Sequence, residues 1–510
     1  MSQNEKTIVK TESGRLQGSF EDDLYMFRGI PYAAPPVGDR RWLPPALVKP
    51  WKGVRPALTF GQISMQAPMP GGMMNGGKVV EEPKGEDCLF LNVWTPGLDN
   101  TRRPVMVWIH GGGFIMGSGS SPMSDGKSLA KHGNLVFVTI NYRLGPLGFL
   151  RLTEVTGGKI PSTGNEGMLD QVAALRWVQD NIASFGGDPA NVTVFGESAG
   201  GMSVGTLLAM PKARGLFRRA ILQSGASTAR PLDFAIKTAG RFLETLGLKP
   251  DDISALRACS PEQLISVYFK MTSGSIWSLN KGSLMEPVVD GDILPVLPLE
   301  AARRGAIGNV IIMAGSTLDE ARLFEMMVPN AMALDEAGMV NRLQEFLPRE
   351  NIQDFIRVYR DARVKRGAAI GPADILWDIE TDLQFRMPAV RLVEAQCRHG
   401  VPAYNYLFTW ESPVPGLGAC HGLDVGFVFG NYVKEFHGSG PAADRLAMNM
   451  QDAWIAFACT GHPACETLGD WPVYGNSRKT MILGKESHVE DAPYEERRLA
   501  WDPIPDAMLG

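Results

Sequence analysis

The sequence predicts an α/β protein, a large and mostly parallel sheet flanked by helices. Three observations predict it. Short apolar runs recur along the chain, each stopping at a Gly-rich or polar turn, as strands buried on both faces of a parallel sheet do. Segments of helical period lie between those runs, and that alternation is the pattern of a wound sheet. One stretch, 191–209, passes from β-branched residues through Gly196-Glu197-Ser198-Ala199-Gly200 into small residues of helical character, which reads as strand, sharp turn and helix.

The strand candidates are 105–109, 135–140, 192–195, 219–222, 309–313 and 404–408. The clearest helical pattern carries Leu169, Val172, Ala173, Leu175, Trp177, Val178 and Ile182, and Gly186-Gly187-Asp188-Pro189 ends it. In a wound sheet ligands gather beyond the carboxyl ends of the strands. The first run ends in His110-Gly111-Gly112-Gly113, the third at Ser198, the fifth near Asp319 and Glu320, and the last leads to His421. The segment 67–78, rich in Pro, Met and Gly, is the most flexible-looking loop.

The 510 residues, 44% of them hydrophobic, suffice for one large domain with insertions or for several ordinary ones. With 50 basic against 55 acidic side chains there is no positive surplus, which argues against a nucleic-acid groove and against binding to an anionic membrane. The N-terminal MSQNEKTIVKTESG lacks the apolar core of a secretory signal, and no apolar run reaches the ~18 residues of a membrane span. A cytoplasmic chain is expected. Cys88, Cys259, Cys397, Cys420, Cys459 and Cys465 show neither metal-ligand nor redox spacing, so reduced thiols and no metal site are expected, and the serine chemistry considered next needs no cofactor.

A serine hydroxyl attacks only when a base takes its proton, and a carboxylate must hold that base in the right tautomer. Ser198 is the candidate nucleophile. The same five-residue pattern recurs around Ser203, but no strand precedes it and it falls inside the helix, where a hydroxyl has an ordinary structural role. His421, in a Gly-flanked turn between two apolar runs, is the candidate base; His110 reads as a support for the glycine loop. Glu320 is favoured as the acid, with its neighbours Asp319 and Glu325 open alternatives. Glycines pack nothing, whereas amides exposed after a strand can hold an oxyanion; those of Gly112, Gly113 and Ala199 are the candidates.

On these residues the chain resembles the type B carboxylesterases, a branch of the α/β-hydrolases. FGGDPANVTVFGESAG at 185–200 and EDCLFLNVWTP at 86–96 look like the two family signatures, and further matches extend over nearly the whole chain. The resemblance implies an α/β-hydrolase fold over 1–510 as a single domain, with helical insertions within about 225–300 and 320–400 around an active-site gorge. It implies hydrolysis of small-molecule carboxylic esters by Ser198, Glu320 and His421 through an acyl-enzyme, with the oxyanion donors named above. Glu197 and Ser224 would support the site, and Arg41 with Glu86 and Arg143 with Asp170 would form structural ion pairs. Met116, Leu284, Met285 and Phe324 are expected to line the substrate pocket. An enzyme specialised for amides, carbamates or aromatic diesters such as phthalates is the rival.

The departures matter too. Ser64 stands where extracellular members carry the first cysteine of a disulfide, leaving Cys88 unpaired. The loop holding Met73, Met74 and Lys78 lacks the tryptophan with which cholinesterases hold a quaternary ammonium. Ser283, Leu284 and Met285 replace acyl-pocket phenylalanines, which implies a roomier apolar pocket.

Overall fold

The structure, a computed structural model, describes residues 7–67, 82–272, 283–328 and 330–509. Its centre is a sheet of eleven strands among the described residues. They are β1 Ser19–Glu21, β2 Leu24–Pro31, β3 Phe90–Thr95, β4 Arg103–Ile109, β5 Val136–Ile140, β6 Gly187–Glu197, β7 Arg219–Gln223, β8 Ile311–Thr317, β9 Ala403–Phe408, β10 Lys479–Leu483 and β11 His488–Asp491. Across the sheet they lie in the order β11-β10-β9-β8-β7-β6-β4-β5-β3-β2-β1. Strands β4 to β10 pair in parallel, and the edge pairings are antiparallel. Four of the six apolar runs read from the sequence fall within β4, β6, β7 and β9, and the other two overlap β5 and β8, which begin at Val136 and Ile311.

Burial on both faces explains why those runs are apolar throughout. Along β4, Val105, Val107 and Ile109 enter one core while Met106 and Trp108 enter the other, because alternate side chains leave a strand on opposite sides.

The helices that bear on the site are α1 Glu166–Asn181, α2 Ala199–Ala209, α3 Leu232–Leu246, α4 Ile253–Ala258, α5 Pro261–Met271, α6 Pro298–Arg303, α7 Ala321–Glu325, α8 Glu336–Leu343, α9 Ile352–Lys365, α10 Pro372–Thr381, α11 Met387–Arg398, α12 Leu423–Phe429, α13 Pro441–Thr460 and α14 Glu495–Ala500. Helix α1 starts where the Glu166 carboxylate accepts the amides of Thr163 at 2.7 Å and Gly164 at 3.1 Å, a negative charge at the positive end of the helix dipole. A 3₁₀ turn, Ile182–Phe185, follows it and closes on Gly186 at φ 77°, a left-handed conformation that glycine adopts without a Cβ penalty. Helices α3 to α6 lie between β7 and β8, and α7 to α11 between β8 and β9.

Both expected ion pairs form. Arg41 grips Glu86 through Nε and Nη2, each at 2.6 Å. Arg143, buried, holds Asp170 at 2.8 and 2.7 Å, each charge offsetting what burial of the other costs. All six cysteines are free. Burial pushes the Cys88 thiol up to about 12, against a hydrogen bond with Ser64. Among the described residues no helix is long and apolar enough to cross a membrane.

Candidate active site

Strand β6 ends at Glu197 and α2 begins at Ala199, so Ser198 alone makes the turn between them. Its backbone, at φ 57° and ψ −129°, lies in a region that side chains with a Cβ avoid. The neighbouring glycines make the turn possible. A Cβ on Gly196 would lie 2.6 Å from the Ile109 carbonyl oxygen, and one on Gly200 would collide with that same oxygen. Ser203, in contrast, is buried in α2, where its hydroxyl accepts a 3.0 Å hydrogen bond from Gln171 Nε2.

The parallel register lines up the strand ends: Gly196 faces Ile109, Glu197 faces Gln223, and Gln223 faces Gly315. Chain leaving β4, β6, β7, β8 and β9 therefore emerges on one side of the sheet. After β4 comes the glycine loop, in which Gly112 has φ 107° and Gly113 φ 61°. A Cβ on Gly112 would strike the Met116 carbonyl. Gly112 turns its own carbonyl away, accepting the amides of Ile115 and Met116 at 3.1 Å each. Ala199, the first residue of α2, has one of the amides that a helix start leaves without an intrahelical partner. A Cβ on Gly111 would lie 3.0 Å from Ser198 Cβ, so the glycine loop lies directly against the serine turn. His110 stacks on Tyr142 with ring centroids 4.5 Å apart, and burial holds it down to about 4 while a bond to the Gly111 carbonyl opposes. It packs under the loop.

His421 sits on the loop between β9 and α12. Its Nδ1 lies 2.5 Å from Glu320 Oε2, and Glu320 is itself fixed by accepting the Thr317 amide at 2.7 Å through Oε1. The two rival acids go elsewhere. Asp319 accepts the Ala419 amide at 3.0 Å and so ties the histidine loop to the acid loop. Glu325 pairs with Arg342 at 2.8 Å.

On its other side, His421 Nε2 is 3.1 Å from Glu197 Oε1, but that oxygen makes no hydrogen bond. Among the described residues the Ser198 hydroxyl also has no hydrogen-bond partner. The structure thus joins His421 to Glu320 and brings it against Glu197, the residue next to Ser198, without a direct serine–histidine hydrogen bond.

Burial dominates the electrostatics. It pushes Glu197 up to about 8, with His421 opposing and the charges of Asp424 and Glu320 adding. It pushes Asp424 up to about 6. For His421 burial acts downward, but Glu197 and Glu320 outweigh it and raise the imidazole to about 9. These groups titrate as one coupled set.

Asp424 escaped the sequence reading. It is fully buried in α12, accepting hydrogen bonds from Gln223 Nε2 at 2.9 Å and the Tyr406 hydroxyl at 3.1 Å, and Trp454 Nε1 closes the chain by donating to Gln223 Oε1 at 3.0 Å. Its signal was a single charge in an apolar run, three residues beyond His421. Ser224, expected to support the site, is buried at φ 48° immediately after β7; among the described residues its hydroxyl has no hydrogen-bond partner, and a Cβ on the adjoining Gly225 would meet the Ser198 carbonyl.

The expected pocket residues divide. Met116 is nearly buried against the glycine loop and Leu284 is half-buried against the core. Met285 needs correction. It is fully enclosed in the main core, since its side chain follows the packing of the insertion. Phe324 lies beside the His421 ring at a centroid distance of 4.8 Å. Met73, Met74 and Lys78 lie outside the described residues. Among the described residues no group of three or more His, Cys, Asp or Glu is placed to hold a metal ion.

Comparison with known proteins gives a consistent result. Residues 5–501 match the model of the carboxylesterase family. The chain is 37% identical over 502 residues to the para-nitrobenzyl esterase of Bacillus subtilis (strain 168), covering 96% of this chain and 97% of that one. It is 36% identical over 496 residues to the phenmedipham hydrolase of Pseudarthrobacter oxydans, covering 94% and 96%. The crystal structure of a Geobacillus stearothermophilus carboxylesterase aligns with a TM-score of 0.86 at 41% identity, over 97% of this chain and 100% of that one.

Proposed function

From the premise that the chain belongs to the carboxylesterase family and is a carboxylic ester hydrolase, we propose that Ser198, His421 and Glu320 carry out the reaction through an acyl-enzyme. Ser198 Oγ attacks the ester carbonyl as His421 Nε2 takes its proton. The carbonyl oxygen, now negative, accepts hydrogen bonds from the amides of Gly112, Gly113 and Ala199. His421 returns the proton to the leaving alkoxide, then takes a proton from the attacking water and passes it to Ser198 Oγ as the acyl bond breaks and the acid leaves. Glu320 holds Nδ1 and favours the imidazolium that forms in each half-reaction.

The observation that carries this reading is the 2.5 Å contact of His421 Nδ1 with the buried Glu320 carboxylate, made beside a serine strained onto a strand-to-helix turn. Glu197 and Asp424 support the same imidazole from the Nε2 side and from α12. Apolar alkyl or aryl esters are the substrates of this reading, with Met116, Leu284 and Phe324 taken to line their pocket. Residues 1–510 are taken as one domain, which agrees with a sheet drawing strands from Ser19 to Asp491. Six unpaired cysteines favour a reducing, cytoplasmic setting.

The test compares a para-nitrophenyl ester with the matched para-nitroanilide, using protein without added metal or cofactor. Ester turnover is expected to dominate. It should rise with pH along a limb centred above the ordinary histidine value, because the carboxylates around His421 resist loss of its proton and only the neutral ring acts as base. Anilide turnover equal to ester turnover would contradict the esterase specialisation.

A further inference from the structure

We propose that the molecule carries a second binding site, for an aliphatic carboxylate, in a cleft at the opposite end of the parallel strands from the catalytic groups. The cleft encloses about 710 Å³, within the range of about 300 to 1,000 Å³ usual for small-molecule sites. It opens where β6, β7 and β8 begin. Ala190 near the start of β6, Arg218 directly before β7 and Val310 directly before β8 all line it. So do Leu207 and Leu208 in the last turn of α2. With eleven residues that helix rises about 16 Å, so one of its ends carries the Ala199 amide beside the catalytic serine while the other walls the cleft.

Two kinds of surface meet there. Leu207, Leu208, Phe217 and Ile307, all buried, make an apolar floor. Arg214 and Arg218 are exposed at its rim, and among the described residues neither guanidinium has an ion-pair or hydrogen-bond partner. No acidic side chain among the described residues lines the cleft. Asp188, beside the lining residue Pro189, pairs instead with Arg102 at 2.8 Å. Burial pulls the adjoining Arg219 below its ordinary value and the Arg218 charge adds to that, so positive charge gathers here without a counter-ion.

A planar guanidinium holds a carboxylate through two parallel N–H···O bonds, and an apolar floor next to it covers a hydrocarbon tail. A carboxylate with an alkyl chain satisfies both. Ester hydrolysis releases a carboxylic acid, so the chain's own reaction supplies this chemistry.

The walls are held in place without a ligand. Gln179 Nε2 donates to the carbonyls of Pro189 at 2.9 Å and Leu216 at 2.8 Å, which ties α1 to both sides of the cleft. The Arg218 amide donates to the Val192 carbonyl at 2.9 Å, and the Arg218 carbonyl accepts the Ile311 amide at 3.3 Å, so its backbone is fixed between β6 and β8. Gly215, at φ 79°, makes the turn between the two arginines in a left-handed conformation that costs glycine little. A site formed in advance loses less freedom when it binds.

The inference rests on the ester-hydrolase activity and not on which residues perform it. The test is calorimetric titration with butanoate, hexanoate, octanoate and octanol. The protein is first treated with an aryl alkylphosphonate until ester turnover is lost, so the catalytic centre cannot account for the binding. Wild type is compared with the double variant Arg214→Ala with Arg218→Ala, and with Ala306→Phe, which puts a ring into the cleft from a partly buried position on its wall.

One octanoate is expected to bind per wild-type chain, and each methylene added along the acid series should tighten binding about two- to fourfold. The double variant should weaken octanoate by at least about tenfold, as should Ala306→Phe, with Tm unchanged in the double variant because both arginines are exposed. Octanol should bind at least about tenfold more weakly than octanoate. Absence of octanoate binding to the blocked wild type would overturn the proposal. So would octanoate binding that survives unchanged in the double variant, or octanol binding as tight as octanoate.

Discussion

Replacing Ser198 with alanine is expected to lower kcat/KM for a para-nitrophenyl ester by about 10⁴- to 10⁶-fold while leaving the fold intact. The size follows from losing the covalent route entirely: without Oγ only the oxyanion donors and binding remain, and these retain a residual acceleration over water of about 10³ to 10⁴. The fold survives because among the described residues the Ser198 hydroxyl bonds to nothing, and alanine carries the same Cβ into the same turn. Thermal unfolding should therefore be unchanged. Ser203→Ala is the matched control, since that serine lies in an equivalent five-residue pattern but accepts its bond from Gln171 inside α2. It should keep wild-type turnover. Activity surviving in Ser198→Ala but lost in Ser203→Ala would reverse the assignment.

Glu320→Gln should lower kcat by about 10³- to 10⁴-fold with little change in KM. The amide has the same shape and its oxygen can still accept the Thr317 amide, which Glu320 Oε1 does at 2.7 Å. It cannot supply charge to the imidazolium, and an amide nitrogen facing Nδ1 donates where a carboxylate accepts, favouring the wrong tautomer. The pH dependence carries a sign that checks the cause. Glu320 is one of the groups raising His421, so its neutral replacement should move the acid limb to lower pH even as the maximum rate collapses. Asp319→Asn, altering the residue that ties the two loops through Ala419, should cost far less.

How much of this was legible beforehand depended on where each residue lies. The parallel strands were readable because β4 to β9 are covered on both faces, which leaves unbroken apolar runs. The antiparallel edge was not. In β2, Arg28 and Gly29 interrupt the pattern at an irregularity in the pairing with β3, and in β3 the polar Asn92 stands mid-strand, its side chain accepting the Gly29 amide at 2.9 Å. Ser198 and Glu320 stood out as candidates because each closely follows an apolar run, and His421 because it stands in a Gly-flanked turn between two apolar runs, all local patterns. Asp424 becomes meaningful only once α12 is seen to bring it beside Gln223 and Tyr406. Met285 was misread for the same reason, since enclosure in a core depends on what folds around a residue.

The central claim is that the Ser198 hydroxyl, the His421 imidazole and the amides of Gly112, Gly113 and Ala199 converge on one reacting carbon. A crystal structure of the protein inactivated by an aryl alkylphosphonate, whose tetrahedral phosphorus mimics that carbon, tests this most directly. The claim predicts phosphorus bonded to Ser198 Oγ, its phosphoryl oxygen within hydrogen-bond distance of those three amides, and His421 Nε2 turned toward the adduct. Phosphorus on another residue, or a phosphoryl oxygen facing away from the glycine loop, would contradict it.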